Sequence, residues 1–346
     1  MINKIKSFIK KFEHYLLNLL LIWLAVLFYN NTPYYSDFLS SQTIKTLLVL
    51  AISYTLFGLI YYIIIPSEKI KESKGSTIFR ALARISKNTI HYIKNFNSPY
   101  KKPLRMEHHE KTAILFLIVK IFFLPLMLNF FYENLNYIKN NIFIFKDPLS
   151  LLSINAFNTI LFPVLVGMVF LIDTLWFSFG YSFEAGFLKN KIKSVEPTII
   201  GWIVTLICYP PFNSIFNNYV DWYANDNIEL STLNLTFIIR LLLIFFLFVY
   251  LSATLALGTK CSNLTNRGIV TRGPYSIIRH PAYISKNLFW WITIIPIISW
   301  PAVLSASLWS FIYYIRAVTE EKHLLKDPEY VEYCKKVKYR FIPFVI

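Results

Sequence analysis

Charge is scarce in this chain: charged residues make up 16% of its 346 positions, against roughly 25% in a soluble domain. Hydrophobic residues make up 55%, and the mean hydropathy is +0.48. A soluble globular fold is excluded. Several apolar runs approach the ~20 residues that cross a bilayer. Glycine is also rare, at 9 residues, and none forms the Gly-x-Gly-x-x-Gly turn of a dinucleotide site or a Gly-rich phosphate loop. The three cysteines, Cys208, Cys261 and Cys334, lie far apart and in no metal-type spacing. Reduced thiols are expected, with no disulfide framework and no metal. Adjacent His108 and His109, with Glu110 and His91 nearby, lack the Cys or Asp that would complete a metal set. Acidic residues are few, so the net charge is +16. In a membrane chain that excess belongs to loops and sets orientation, and no nucleic-acid partner is implied.

What is present is an all-α, polytopic pattern of about eight apolar segments. They fall at 15–29, 44–65, 112–132, 156–180, 198–209 and 235–257, followed by two arms between 288 and 315. The arms form a hairpin interrupted at Pro296, Trp300 and Pro301, and each is short enough for the hairpin to be partly re-entrant. The basic start of the chain resembles a signal peptide, but Trp23, Phe28 and Tyr29 stand where small residues belong. An uncleaved first span is expected. No internal repeat is visible, so an inverted-repeat transporter gains no support.

Loop charge alternates at every crossing. Lys4, Lys6, Lys10 and Lys11 precede the first span, and the loop 30–43 has no Lys or Arg. The loop 67–111 is densely basic, including Lys69, Lys71, Arg80, Arg84, Lys101, Lys102 and Arg105. The next loop carries only Lys139 and Lys146, and the one after it Lys189, Lys191 and Lys193. The loop 212–234 has no basic residue but holds Asp221, Asp226 and Glu229. Lys260, Arg267, Arg272 and Arg279 come before the hairpin. Both termini are therefore expected in the cytosol. Two regions are expected: an N-terminal membrane region 1–197 with the basic loop 67–111, and a core 198–346.

Two polar pieces flank the hairpin. The first is Arg272-Gly273-Pro274-Tyr275, then Arg279-His280-Pro281-Ala282-Tyr283; the second is Glu320-Glu321, Leu324, Asp327-Pro328, Tyr330, Tyr333 and Tyr339 to Pro343. A charge at mid-bilayer costs on the order of 2.5–3.5 kcal/mol, so these residues belong at the interface or in a wet pocket. Pro281 disfavours helix at His280, which sets that pair on a turn. One reading is an ordinary interface, with arginines for headgroups and tyrosines in the aromatic belt. The other is a pocket for one small molecule. Lys120 and Asp173 stand inside apolar spans and are candidates for function. Asp173 suits either an acceptor cavity or an interhelical hydrogen bond, and Arg240, near the end of its span, is expected to snorkel.

The two pieces together resemble the isoprenylcysteine carboxyl methyltransferases and their relatives, the phospholipid N-methyltransferases. The resemblance covers roughly 263–343. It implies S-adenosylmethionine as cofactor in a cytosolic pocket, and transfer of its methyl group to a lipid or lipid-modified acceptor in the bilayer. It also implies cofactor contacts from Gly273, Tyr275, Arg279, His280, Pro281, Tyr283, Glu320 and Glu321, with Glu320 or Glu321 taking the methionine ammonium. Arg340 and Glu321 would serve the acceptor and the chemistry, and Arg340 inclines the expectation toward a carboxylate acceptor. Asp327 and its neighbours depart from the family, where a glycine often stands. The extra spans before the shared part leave the acceptor open. A sterol-type NADPH reductase and a non-catalytic scaffold or transporter are the alternatives. The membrane is expected to be a bacterial inner membrane or the endoplasmic reticulum.

Overall fold

The computed structural model describes residues 2–66, 73–94, 106–141 and 153–345. Lys69, Lys71, Lys101, Lys102, Arg105 and Lys146 of the expected loops lie outside them. The chain forms two compact units that divide inside one long helix, at Asn129 and Phe130. Among the described residues, six helices are long and apolar enough to cross a membrane.

The first unit holds α1 (Ile2–Asn31), α2 (Pro33–Phe38), α3 (Ser41–Ile64), α4 (Lys74–Lys94) and the start of α5 (His108–Asn141). With no water in the bilayer core, polar side chains there must find partners on neighbouring helices. Tyr15 donates to the Thr55 carbonyl at 2.7 Å, and Tyr29 to the Ile121 carbonyl at 3.0 Å. Asn129 gathers the turn before α3. Its Oδ1 accepts from Ser40 N–H at 2.7 Å and from the Thr43 hydroxyl at 3.1 Å. Glu110 pairs with Arg84, while His108 and His109 are exposed beside it.

The second unit carries the motifs. Its elements are α6 (Ile154–Ala156), α7 (Phe162–Ser182), β1 (Ser194–Val195), α8 (Ile199–Leu206), α9 (Phe212–Asn217), α10 (Leu233–Leu257), β2 (Thr265–Asn266), α11 (Pro281–Thr293), α12 (Trp300–Leu324) and α13 (Pro328–Lys336). A π-helical turn, Phe157–Leu161, joins α6 to α7. Helix α10 packs between α7 and α11, and α12 packs on α8 and α11. Phe162, Val166, Leu243, Leu247 and Phe289 form the buried cluster at the first of these seams.

The hairpin differs from its expected form. Helix α11 has 13 residues, but α12 has 25 and continues to Leu324, long enough to cross. The reason is local. Ser299 caps α12 by accepting from Ala302 N–H, and Pro301 sits in its first turn, where a missing N–H costs nothing. Pro296 lies in the 3₁₀ turn Ile295–Ile297 between the two arms, and Pro301 starts the second. The expected fifth segment is the 8-residue α8.

Arg240 does not snorkel. It is 2% exposed, and its guanidinium donates to the Ile228 carbonyl at 2.7 and 3.0 Å and to the Asn158 carbonyl. The loop before α10 folds back over the helix to supply the Ile228 carbonyl, and the π-helical turn Phe157–Leu161 supplies that of Asn158. Asp173 accepts from the Thr254 hydroxyl at 2.6 Å, an α7–α10 tie.

Candidate active site

The site grows from the last two turns of α12. Successive helical residues point about 100° apart, and residues three or four apart share a face. Arg316, Thr319, Glu320 and His323 therefore lie on one face, and Glu321 on another. The two adjacent carboxylates have separate fates.

Glu321 is 6% exposed and faces the turn before α11. Its Oε1 accepts from Arg279 Nε at 2.8 Å and lies 3.2 Å from His280 Nε2. Its Oε2 accepts from Arg340 Nε at 3.1 Å and Nη2 at 2.7 Å. The backbone repeats this closure. Arg279 N–H donates to the Tyr339 carbonyl at 3.0 Å, and His280 N–H to the Arg340 carbonyl at 2.9 Å. The Glu321 hydrogen bonds hold the Arg340 guanidinium above its usual arginine range. Glu321 is thereby a buried anchor that locks the Arg279-His280 turn to the tail.

Glu320 faces a polar cleft that Glu196, Thr205, Asn263 and Arg316 also line. Its Oε2 accepts from the Tyr283 hydroxyl at 2.6 Å. Arg316, one turn earlier, donates to Asn263 Oδ1 at 2.6 Å. Its guanidinium lies 5.1 Å from the Tyr283 ring centre and 5.6 Å from that of Tyr313, within cation–π range. Ser262 and Thr265 line the same cleft. The opposite wall is Glu196, 3% exposed. Its Oε1 accepts from Thr198 N–H at 2.9 Å, while its Oε2 is buried with no hydrogen-bond partner.

Of the residues expected from the sequence, Arg279, His280, Glu321 and Arg340 form the anchor, and Tyr283 and Glu320 line the cleft. His280 joins the two, since its ring stacks on Tyr283 at 5.2 Å and 11°. Pro281 opens α11. Gly273 and Tyr275 lie on a 3₁₀ turn against other partners. Gly273 has φ +62°, a region that favours glycine. The Tyr275 carbonyl accepts from the Tyr333 hydroxyl at 2.7 Å.

Asp327 caps α13 by accepting from Glu329 N–H, and it also binds Lys193 Nζ and Asn266 Nδ2, both at 2.9 Å. Burial alone would raise its carboxyl, but the Lys193 and Asn266 bonds outweigh that and hold it below the usual carboxylate range. Asp327 thus ties the tail to the β1–β2 ribbon. Glu196, Arg316, Asn263 and His323 were not singled out from the sequence. For Glu196 the signal was its place before a span, after three lysines and next to a proline.

The helices form a bundle of membrane-spanning length with a polar, aromatic-walled cleft at the end of α12. Residues 234–327 match the family model described as phospholipid methyltransferase. The match covers about a quarter of the chain and includes Tyr283, Arg316, Glu320 and Glu321, but neither Glu196 nor Arg340. No curated protein and no solved structure matches the chain.

Proposed function

We propose that this protein transfers a methyl group from S-adenosylmethionine to an acceptor held in the membrane. The donor set of the cleft suits the cofactor. A zwitterionic amino-acid end needs one carboxylate and one cation, and Glu320 and Arg316 stand one turn apart. The hydroxyls of Ser262 and Thr265 and the amide of Asn263 suit a sugar and a base. When bound, S-adenosylmethionine supplies an already activated methyl group on a sulfonium. The chain's own work is then alignment and exclusion of water, worth up to ~7–11 kcal/mol. Glu320 would hold the ammonium, Arg316 the carboxylate, and Tyr283 would orient Glu320. Loop charge supports a cytosolic position for the cleft.

The acceptor is the finer question. A carboxylate acceptor, as in isoprenylcysteine methylation, draws its support from an available Arg340. Arg340 is committed to Glu321 at 2.7 Å. The cleft instead carries two carboxylates, Glu196 and Glu320, against one guanidinium. That balance favours a cationic or hydrogen-bond-donating acceptor, a phospholipid amine. It also disfavours the NADPH phosphate of a sterol-type reductase, since like charges repel.

The observation that carries the reading is the Glu320–Arg316 cleft inside the matched segment. Its test uses membranes incubated with methyl-radiolabelled S-adenosylmethionine and extracted with organic solvent. Label is expected in the lipid fraction and stable to alkali. Alkali release as methanol establishes an ester and the carboxylate acceptor. Label confined to the aqueous phase overturns a membrane-borne acceptor.

A further inference from the structure

Glu196 lies outside the segment that matches the family, yet it forms a wall of the cleft. Its backbone is fixed on both sides. Glu196 N–H donates to the Leu264 carbonyl at 2.7 Å, and the Glu196 carbonyl accepts from Trp202 Nε1 at 2.8 Å. Its side chain is fixed by Thr198 on Oε1 and by the bare face of Gly201. A Cβ at Gly201 would meet Glu196 Cγ at 2.5 Å and Cδ at 2.7 Å, closer than side chains tolerate. The carboxylate is thus held in one place while its Oε2 makes no hydrogen bond. The imidazole of His323 stands beside it, with Nδ1 at 3.8 Å. His323 Nε2 in turn lies 2.8 Å from the Ser194 hydroxyl.

A buried carboxylate oxygen without a hydrogen-bond donor carries a desolvation cost. Here it is placed by three separate restraints on the wall of a polar cleft. A protein that only needed Glu196 for Thr198 would have no use for the second oxygen at this position. Glu320 already answers the one ammonium of the cofactor. The second carboxylate therefore has a different cation to meet.

We propose that Glu196 recognises the methyl acceptor, binding the primary ammonium of a phospholipid headgroup through Oε2. The inference rests on the methyltransferase reading above. An ammonium has no lone pair until it loses a proton, and Oε2 is the oxygen placed to receive it. The N–H bond breaks, an O–H bond forms on Glu196, and the lone pair stays on nitrogen. His323 and Ser194 act as positioning residues, holding the wall behind the carboxylate. The same ammonium chemistry exists in the cofactor's methionine end, so the experiment separates the two sources.

Calorimetry on the detergent-solubilised full chain supplies the test. S-adenosylhomocysteine is titrated first, then dihexanoyl phosphatidylethanolamine into the loaded protein. Glu196→Gln is expected to weaken phosphatidylethanolamine binding at least tenfold and to leave S-adenosylhomocysteine within twofold. Gly201→Ala, which displaces the Glu196 side chain without changing its charge, is expected to do the same. Retained cofactor affinity shows that both variants are folded. Unchanged lipid affinity in both variants overturns the inference. So does an equal loss of S-adenosylhomocysteine affinity, which would assign Glu196 to the cofactor's ammonium. Wild-type protein that takes up S-adenosylhomocysteine but no lipid amine overturns the inference alone. Protein that takes up neither overturns the methyltransferase reading as well.

Discussion

Arg340 grips Glu321 through two nitrogens, Nε at 3.1 Å and Nη2 at 2.7 Å. A guanidinium so engaged on a single carboxylate oxygen is a fastener for the tail, with its charge already matched. Together with Arg279 and His280 on the other oxygen, it turns Glu321 into the knot that joins the turn before α11, the end of α12 and the tail.

The two neighbouring glutamates are expected to fail differently. Glu321→Gln leaves Arg279 and Arg340 facing a neutral group, with side chains 13% and 25% exposed. Breaking a buried pair by removing one partner costs about 3–5 kcal/mol, and partial exposure places this case near 3 kcal/mol. The melting temperature in detergent should fall clearly. Glu320→Gln should melt within about 1 kcal/mol of the wild type but bind S-adenosylhomocysteine at least tenfold more weakly. Equal melting losses would show that the two carboxylates share one role.

Arg316→Lys keeps the charge and loses the plane. The guanidinium sits over the Tyr283 and Tyr313 rings while donating to Asn263, a combination that an ammonium cannot reproduce. Calorimetry should show cofactor affinity reduced by roughly tenfold, about 1.4 kcal/mol. Undiminished affinity would remove Arg316 from the cofactor's carboxylate.

Asp327 predicts an acid-dependent weakness. Its carboxyl is held below the ordinary range chiefly by Lys193 and Asn266, against the opposing effect of burial. A depressed folded-state value contributes stability that is complete above the unfolded value, about 3.9, and is lost as pH falls through the folded one. The melting-temperature gap between wild type and Asp327→Asn should be constant at neutral pH and narrow below about pH 4. A gap independent of pH down to 3 would contradict the pairing.

Orientation is testable at two exposed serines, Ser36 and Ser86. In a background with Cys208, Cys261 and Cys334 replaced, single cysteines at these sites meet an impermeant thiol reagent on intact cells. Ser36 lies in the loop without Lys or Arg and Ser86 in the basic stretch, so only the first should react. The reverse labelling would move the cleft to the other side of the membrane.

The spans were legible because hydropathy and capping are local. Leu233–Leu257 and Ser41–Ile64 sit within three residues of their expected limits. The family-like pieces around Arg279-His280 and Glu320-Glu321 were legible as motifs, and the fold brings them within hydrogen-bond distance. What could not be read was which neighbour does what. Glu320 and Glu321 look alike in a sequence, and only the face each takes on α12 separates them. Arg240 looked like an interface residue because its acceptors, the Ile228 carbonyl of a loop and the Asn158 carbonyl of the π-helical turn, meet it only through the tertiary fold. Glu196 was hidden because its meaning depends on Leu264 and Gly201, one far along the chain and one defined by the absence of a side chain.

The β1–β2 ribbon also sets a clock. Ser194 pairs with Asn266 and Val195 with Thr265, so the first half of the ribbon is made about 70 residues before the second. At ~5–20 residues per second, synthesis leaves an interval of roughly 4–14 s. Through that interval the Glu196 N–H has no Leu264 carbonyl to meet. The nascent chain therefore passes through a stage with one wall of its cleft built and open. Chaperones and proteases that survey the membrane face have those seconds in which to act on it.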